Sequence, residues 1–280
     1  MKAGFIGAGK VGFSLGKYLA EGGMTVTGYY SRSSESAREA AEFTGTVCYE
    51  DLAGVVRDSD TLFITVPDGK IGKVWGQIRN LPIKNKNICH CSGSVSSTVF
   101  FDAEEKGAFR YSVHPLCAVS DKYNSYKAIG RAVFSVEGSP ENLPEIKKIF
   151  GSAGNRVSAI DTDKKTLYHC AAVMVSNMMT ALADIGMEML EECGFSSPDA
   201  AKALNPLIEG NAKAIAEMGA EKALTGPVER NDAETVRNHI DILNGETREL
   251  YIILSKRLTE IAERKHPDRD YKQIKKELKK

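Results

Sequence analysis

Ala3-Gly4-Phe5-Ile6-Gly7-Ala8-Gly9-Lys10-Val11-Gly12 is the stretch whose reading decides the fold. A short apolar run meets G-x-G-x-x-G, and helical spacing follows at once. Val11, Leu15 and Leu19 share a stripe until Gly22-Gly23 stops it. The glycine pattern alone is weak. Set after a strand, and opening a helix at the start of a βαβ unit, it has the context in which it holds a dinucleotide. There Gly7 permits the tight turn, Gly9 lets the backbone approach a pyrophosphate at the helix N-terminus, and Gly12 lets the helix pack on the sheet. Ala8, Lys10 and Val11 complete the loop; a glycine turn without a ligand is the plain alternative.

Outward from this loop, strand-like and helix-like segments alternate. Residues 25–30 are β-rich and 34–43 read as a helix. Strands follow at 61–66, 87–91 and 111–114, the first and last of these halted by Pro67 and Pro115. A strand over 132–136, a helix over 143–150 and a strand over 156–160 finish the series. This alternation predicts an α/β domain, a Rossmann parallel sheet with helices on both faces. After Asp161 no strand signal returns. Leu167, Ala171, Met174, Met178, Leu182, Ile185 and Met189 recur at steps of three or four, which predicts one long helix over most of 164–193. Its other face carries Ala172, Val173, Ser176, Thr180 and Ala183, small enough for a second backbone to approach. Pro198 starts a further helix, and 234–264 reads as the last long one. The chain divides into a Rossmann dinucleotide domain, 1–162, and an all-helical domain for substrate binding and dimerisation, 163–280.

The 280 residues carry 37 Lys+Arg and 37 Asp+Glu, a formal net charge of zero. No global field draws such a chain to nucleic acid or an anionic membrane. The apolar N-terminal stretch is too short for a signal peptide, and no window is read as approaching bilayer-spanning length. The six cysteines show no compact spacing, so a cytoplasmic protein without a disulfide framework is expected. No metal is expected: in a strand, Cys89 and Cys91 face one way and His90 the other. The basic tail, 264–280, reads as a solvated helix end.

The end of the second strand discriminates between cofactors. NAD enzymes place an acid there, against the ribose 2′-hydroxyl. This chain has Tyr29-Tyr30-Ser31-Arg32-Ser33. A hydroxyl and a guanidinium suit a 2′-phosphate, so NADP is expected, with Ser31 and Arg32 as ligands. Val66-Pro67-Asp68 closes the third strand at the edge where the nucleotide would lie, and Ser92-Gly93-Ser94 follows the next, with Ser92 toward cofactor and Ser94 toward substrate. His114 ends a strand at the same carboxyl edge and can move a proton, or is simply a strand-end histidine held by backbone hydrogen bonds. His169, near the start of the long helix, shares a face with Val173 and Ser176, with Asn177 a step aside. It needs a partner, either a substrate or the other domain. Arg230 can hold a substrate carboxylate, and Asn231 or Asp232 can cap the last helix; a surface ion pair at a capped helix start is the alternative.

Taken in order, these residues resemble a family. The glycine loop, Ser31-Arg32, Val66-Pro67-Asp68, His90-Cys91-Ser92-Gly93, His114-Pro115-Leu116, Tyr168-His169 with Ser176-Asn177, and Gly226-Pro227 with Arg230, Asp232 and His239 are similar to the Rossmann-like proteins that carry the DUF2520 domain. The resemblance spans nearly the whole chain. It implies kinship with hydroxyacid dehydrogenases, ketopantoate reductases, pyrroline-carboxylate reductases and prephenate dehydrogenases, and a homodimer built through the helices. It also implies reduction of a small 2-oxo acid such as ketopantoate. Hydroxyacid dehydrogenases and the usual ketopantoate reductases place a catalytic lysine one turn before an asparagine on the first interdomain helix; here Asn177 is present but the position four before it is Val173. The proton then falls to His169, favoured, or His114, with Asn177 beside them. His114-Pro115 is similar to the prephenate dehydrogenase motif, which keeps a prephenate-type or other hydroxyacid dehydrogenase as one alternative and a non-catalytic NADP sensor as another.

Overall fold

A computed structural model describes residues 1–279. Its sheet has eight strands: β1 (Lys2–Ile6), β2 (Thr25–Tyr30), β3 (Val47–Cys48), β4 (Thr61–Ile64), β5 (Asn87–His90), β6 (Phe109–Pro115), β7 (Phe134–Gly138) and β8 (Val157–Ala159). The spatial order is β3-β2-β1-β4-β5-β6-β7-β8. The order reverses between β1 and β4, and ligands of open α/β sheets lie at such a switch point. The sheet is mostly parallel. The exception is β7, which pairs with β6 antiparallel through Val113↔Val136 and Ser112↔Glu137. Between Pro115 and Phe134 the chain forms only one short helix, Tyr126–Ile129, and lacks the long crossover helix that parallel strands usually need.

Alternation along the strands feeds two cores. Phe5, Phe63 and Cys89 face one layer, while Ile6, Leu62, Ile64 and Ile88 face the other. Helices α1 (Lys10–Glu21), α2 (Ser34–Thr44) and α6 (Leu143–Ser152) cover the first, and α3 (Leu52–Asp58) and α4 (Asp68–Ile78) cover the second; the short helix over Tyr126–Ile129 is α5. In the first layer the Phe5 ring stacks between Tyr29 at 5.1 Å and Phe63 at 5.3 Å. In the second, the Trp75 indole N–H donates to the buried Asp102 carboxylate at 3.0 Å. The strand β3 and the helices α3 and α4 were not expected from the sequence. Helix α4 carries Gly69, Gly72 and Gly76, which lower its helix propensity, and α3 has only seven residues.

The chain forms two compact units, Met1–Met174 and Val175–Lys280. The helix expected over 164–193 is broken. Helix α7 (Lys165–Val175) stops at Ser176, whose φ of −115° and ψ of −74° depart from helical values, and α8 (Asn177–Glu192) restarts it. The expectation that no window nears bilayer-spanning length is also corrected. Thr162–Glu192 contains an 18-residue window of mean hydropathy 1.4 with none of it buried. Between 166 and 187 the only formally charged acidic or basic residue is Asp184. The segment qualifies by length and composition only.

The second unit continues with α9 (Ser197–Ala223), α10 (Ala233–Ile242), α11 (Gly245–Lys265) and α12 (Lys272–Glu277). Pro198 opens α9 as expected. The single helix expected over 234–264 is two, because Asn244 is extended and Gly245 sits at φ +51°. A small core of Val236, Ile240, Ala262, Tyr271 and Ile274 ties α10, α11 and α12 together.

The Phe5–Phe63 stack predicts that Phe63→Ala lowers stability by about 3–5 kcal/mol, the usual cost of emptying a buried phenylalanine site. Urea denaturation followed by fluorescence of the single Trp75 measures it.

Candidate functional site

The glycine loop is shaped by contact with the end of β4. At Gly7 φ is +113°, and a Cβ there would lie 2.9 Å from the Thr65 backbone. A Cβ on Gly12 would lie 2.4 Å from both the Gly7 carbonyl and Thr65 Oγ1, while one on Gly9 would meet nothing within 4 Å. The helix therefore closes onto the sheet at Gly12 and leaves open space at Gly9, where α1 begins. That is the cradle a pyrophosphate needs. Lys10, Val11 and Gly12 form the first turn of α1.

Beside the loop lies a cleft of about 250 Å³. Gly7, Ala8, Gly9, Ser31, Arg32, Val66 and Pro67, all expected as cofactor residues, line it. Two lysines that the sequence reading missed, Lys70 and Lys73 on α4, complete its wall together with Gln77. Three cations and no carboxylate face this space. The field there favours an anion, and the residues fit a dinucleotide with a 2′-phosphate. The signal for Lys70 and Lys73 was their spacing on a helix at the carboxyl edge, which the glycines of α4 concealed.

Further along the same edge a second group of polar side chains gathers within the Met1–Met174 unit. Ser92 Oγ and Ser94 Oγ both donate to Asp68 Oδ2, at 2.7 and 2.9 Å. This ties the turn after β5 to the start of α4. Neither serine lines the cleft. His90 is buried against Phe100, with its ring pushed down to about 4 chiefly by burial. Cys89 and Cys91 lie in the opposite layer, and among the described residues no group of three metal-ligating side chains converges.

His114 and His169 come together over Gly93. A Cβ on Gly93 would sit 3.0 Å from His114 Nε2 and 2.7 Å from His169 Nδ1. The two rings thus pack directly on the bare glycine, each with a nitrogen beside it, and a side chain there would not fit. Both histidines belong to the Met1–Met174 unit; the first comes from β6 and the second from α7. His114 Nδ1 is paired with the Tyr168 hydroxyl at 2.8 Å, the two rings edge to face. Burial, and then the charge of Lys165, push His114 down to about 4, so it is neutral at pH 7. In the tautomer in which the phenol donates to Nδ1, the His114 proton resides on Nε2, the nitrogen that lies beside Gly93. His169 Nδ1 is buried with no hydrogen-bond partner.

One buried cation of this cluster escaped the sequence reading. Lys165, in the first turn of α7, is 2 % exposed. Its ammonium lies 5.1 Å over the Tyr168 ring. The signal was the four-residue step from Lys165 to His169, one helical turn; attention to the position four before Asn177 passed over it.

The remaining expected residues lie in the second unit. Asn177 is exposed and its side-chain oxygen accepts from Ser176 Oγ at 3.0 Å. Asp232 caps α10, accepting from Thr235 N at 3.0 Å and Thr235 Oγ1 at 2.7 Å. Arg230 is exposed, and His239 Nδ1 pairs with the Tyr251 hydroxyl at 2.9 Å.

A dinucleotide cradle, a cationic cleft and a histidine pair at the carboxyl edge define an oxidoreductase of the Rossmann class. Comparison with known proteins agrees. Residues 132–258 match the model of a domain of unknown function, DUF2520, and residues 2–88 match the model described as NADP oxidoreductase, coenzyme F420-dependent. The solved structure of protein TM1727 from Thermotoga maritima is 31% identical, with a TM-score of 0.74, and the match covers 94% of this chain and 98% of that one. BF3122 of Bacteroides fragilis, which carries a provisional NADP oxidoreductase assignment, is 25% identical with a TM-score of 0.69 over 92% of this chain and 98% of that one. A reductive aminase from Aspergillus terreus, solved with NADPH and ethyl-5-oxohexanoate, shares the fold at 16% identity, a TM-score of 0.65 and 98% coverage of both chains. No match is found among curated protein sequences. The chain belongs to the Rossmann-like oxidoreductases that carry the DUF2520 domain, and NADP is the cofactor of that family.

The cleft predicts that NADP(H) binds well ahead of NAD(H). Losing one charge-assisted pair costs about 1.5–3 kcal/mol. Arg32→Ala therefore weakens NADPH roughly ten- to a hundredfold and leaves NADH little changed. Titration of nicotinamide fluorescence checks both, and equal weakening of the two removes Arg32 from the site.

Proposed function

We propose that this protein is an NADPH-dependent reductase of a small 2-oxo acid, with ketopantoate the first compound to test. The observation that carries the reading is the convergence of His114 Nε2 and His169 Nδ1 over Gly93. Reduction of a carbonyl needs donors aimed at the oxygen that becomes an alkoxide. Two ring nitrogens meet beside a side-chain-free glycine, and the Tyr168 hydroxyl holds the first ring in place. His114 and His169 orient the oxo group, and Asp68 fixes the Ser92-Gly93-Ser94 turn beneath it. Gly7, Gly9 and Arg32 hold the dinucleotide, with Lys70 and Lys73, and NADPH supplies the hydride when bound. Ser94 is the residue of this unit proposed for the substrate's remaining polar groups.

A panel of 2-oxo acids with NADPH, followed at the nicotinamide absorbance, tests the reading. Prephenate and a cyclic imine serve as counter-substrates, the latter because a reductive aminase shares the fold. Turnover of a 2-oxo acid is expected, with kcat about 10²–10³-fold lower in His114→Ala and His169→Ala, the loss usual for an oxyanion donor. Preferred oxidation of prephenate with NADP moves the chemistry to the dehydrogenase alternative. Tight NADPH binding with no turnover of any compound favours the sensor.

The same reading includes a cytoplasmic homodimer assembled through the helical unit. Helix α8 has no buried residue, and Met178, Met179 and Leu182 are each more than two-fifths exposed. Apolar exposure on this scale marks a partner surface, and the run of small residues on α7 and α8 lets a second backbone approach. Light scattering at micromolar concentration is expected to give twice the mass of the chain, and a monomer mass refutes the dimer.

A further inference from the structure

The histidine pair explains how an oxo group is held; with His169, the proton donor favoured from the sequence, given that orienting role, the proton needs another source. A ring with its acidity near 4 is not an imidazolium at neutral pH, so His114 is not the acid. The cluster holds another candidate. Among the described residues Lys165 forms no ion pair, and its buried Nζ has no hydrogen-bond partner. A buried ammonium left in this condition is costly and is normally answered by an anion. Glu137 on β7 is the carboxylate whose charge favours it most. That carboxylate is already committed: it accepts from Ser97 N at 2.7 Å, Ser97 Oγ at 2.6 Å and Thr162 Oγ1 at 3.0 Å. The ammonium instead overlies the face of Tyr168, the ring whose hydroxyl holds His114, and it stands one helical turn before His169. His114, His169 and Lys165 thus gather about Tyr168, and Lys165 is a buried cation without a direct ion pair among the described residues.

Resting on the reductase reading above, we propose that Lys165 is a catalytic residue, the group that protonates the substrate oxygen as the carbonyl is reduced. The balance is simple. The carbonyl carbon gains the hydride from NADPH, the C=O π pair moves to oxygen, and Lys165 Nζ–H gives that oxygen its proton. The products are a 2-hydroxy acid, NADP and a neutral lysine amine, which water reprotonates. In the ground state the ammonium attracts the oxo oxygen, and the attraction grows as charge develops there.

The surroundings suit the task. Lys165 is brought down to about 8, first by burial, with Glu137, Cys91 and Asp68 opposing the fall. It is thus mostly protonated at pH 7 yet acidic enough to donate. The other groups facing it are His114 on β6, His90 on β5, and Tyr168 and His169 on its own helix. Turnover in the reductive direction is accordingly highest below pH 8 and falls as pH rises through that value.

The test compares wild type, Lys165→Met and Lys165→Arg on the 2-oxo acid panel, with NADPH affinity measured for each as a check on folding. Lys165→Met is expected to lower kcat about 10²–10⁴-fold with NADPH binding retained. Lys165→Arg keeps the charge but is too basic to donate. It should hold KM near wild type, lose kcat, and lose the fall near pH 8. A readout without turnover accompanies this. In protein labelled with ¹³C and ¹⁵N lysine and saturated with NADP, the signal missing from Lys165→Arg should titrate near 8 and shift on addition of oxamate, an inert 2-oxo acid analogue. Wild-type turnover with an unimpaired Lys165→Met overturns the assignment and leaves the reductase reading standing. Full rescue by arginine overturns proton transfer in favour of a purely electrostatic anchor. A lysine signal titrating near its ordinary value, or unmoved by oxamate, also overturns it. A wild type inert on every 2-oxo acid overturns the reductase reading, and the assignment falls with it.

Discussion

Thr65 Oγ1 donates to the Gly7 carbonyl at 2.8 Å, and the site depends on that contact. It joins the end of β4 to the end of β1 at the place where strand order reverses. Helix α1 can then start close against the sheet only because Gly12 has no side chain to meet the two partners. From this closure follow the open space at Gly9, the helix N-terminus facing it, and the cleft walled by β2 on one side and α4 on the other. Binding a dinucleotide at this point is a consequence of backbone packing before any charged side chain contributes.

The charged side chains then divide the labour by location. Arg32, Lys70 and Lys73 line the cleft exposed and hydrated, so their charge costs the folded protein little. Lys165 is the opposite case: a cation folded into the interior, with its compensation incomplete. Proteins retain such groups mainly where chemistry uses them. The neutral state of His114 belongs to the same balance, since two adjacent cations in one buried space would repel.

Much of this was legible in the sequence, for reasons that can be named. Strands β1, β2 and β4 are rich in apolar, aromatic or β-branched residues, and the glycine loop has a fixed geometric meaning, so their positions follow directly. Arg32 was found because an acid was missing where one is diagnostic. Helix α4 was not found, because three glycines dilute its apolar spacing of Ile71, Trp75 and Ile78. Lys165 was not found, because lysine is almost always solvated and its burial depends on β5, β6 and β7 converging, which is a tertiary property. The break at Ser176 was hidden for a similar reason. The apolar stripe continues in phase through it, and periodicity reports a face more readily than a change of backbone direction.

Lys165, Tyr168 and His169 all project from the opening turn of α7. Their mutual arrangement is therefore set by helical pitch, and their aim by the phase at which the helix starts. One residue inserted or removed in the short segment before Lys165 would turn all three together by about 100°, carrying His169 off Gly93 and Tyr168 off His114, with every side chain intact. Length in that segment consequently matters to the arrangement as much as identity at the three positions. A descendant of this chain that acquired different chemistry could do so by rephasing one helix, with no change to any of its reactive groups.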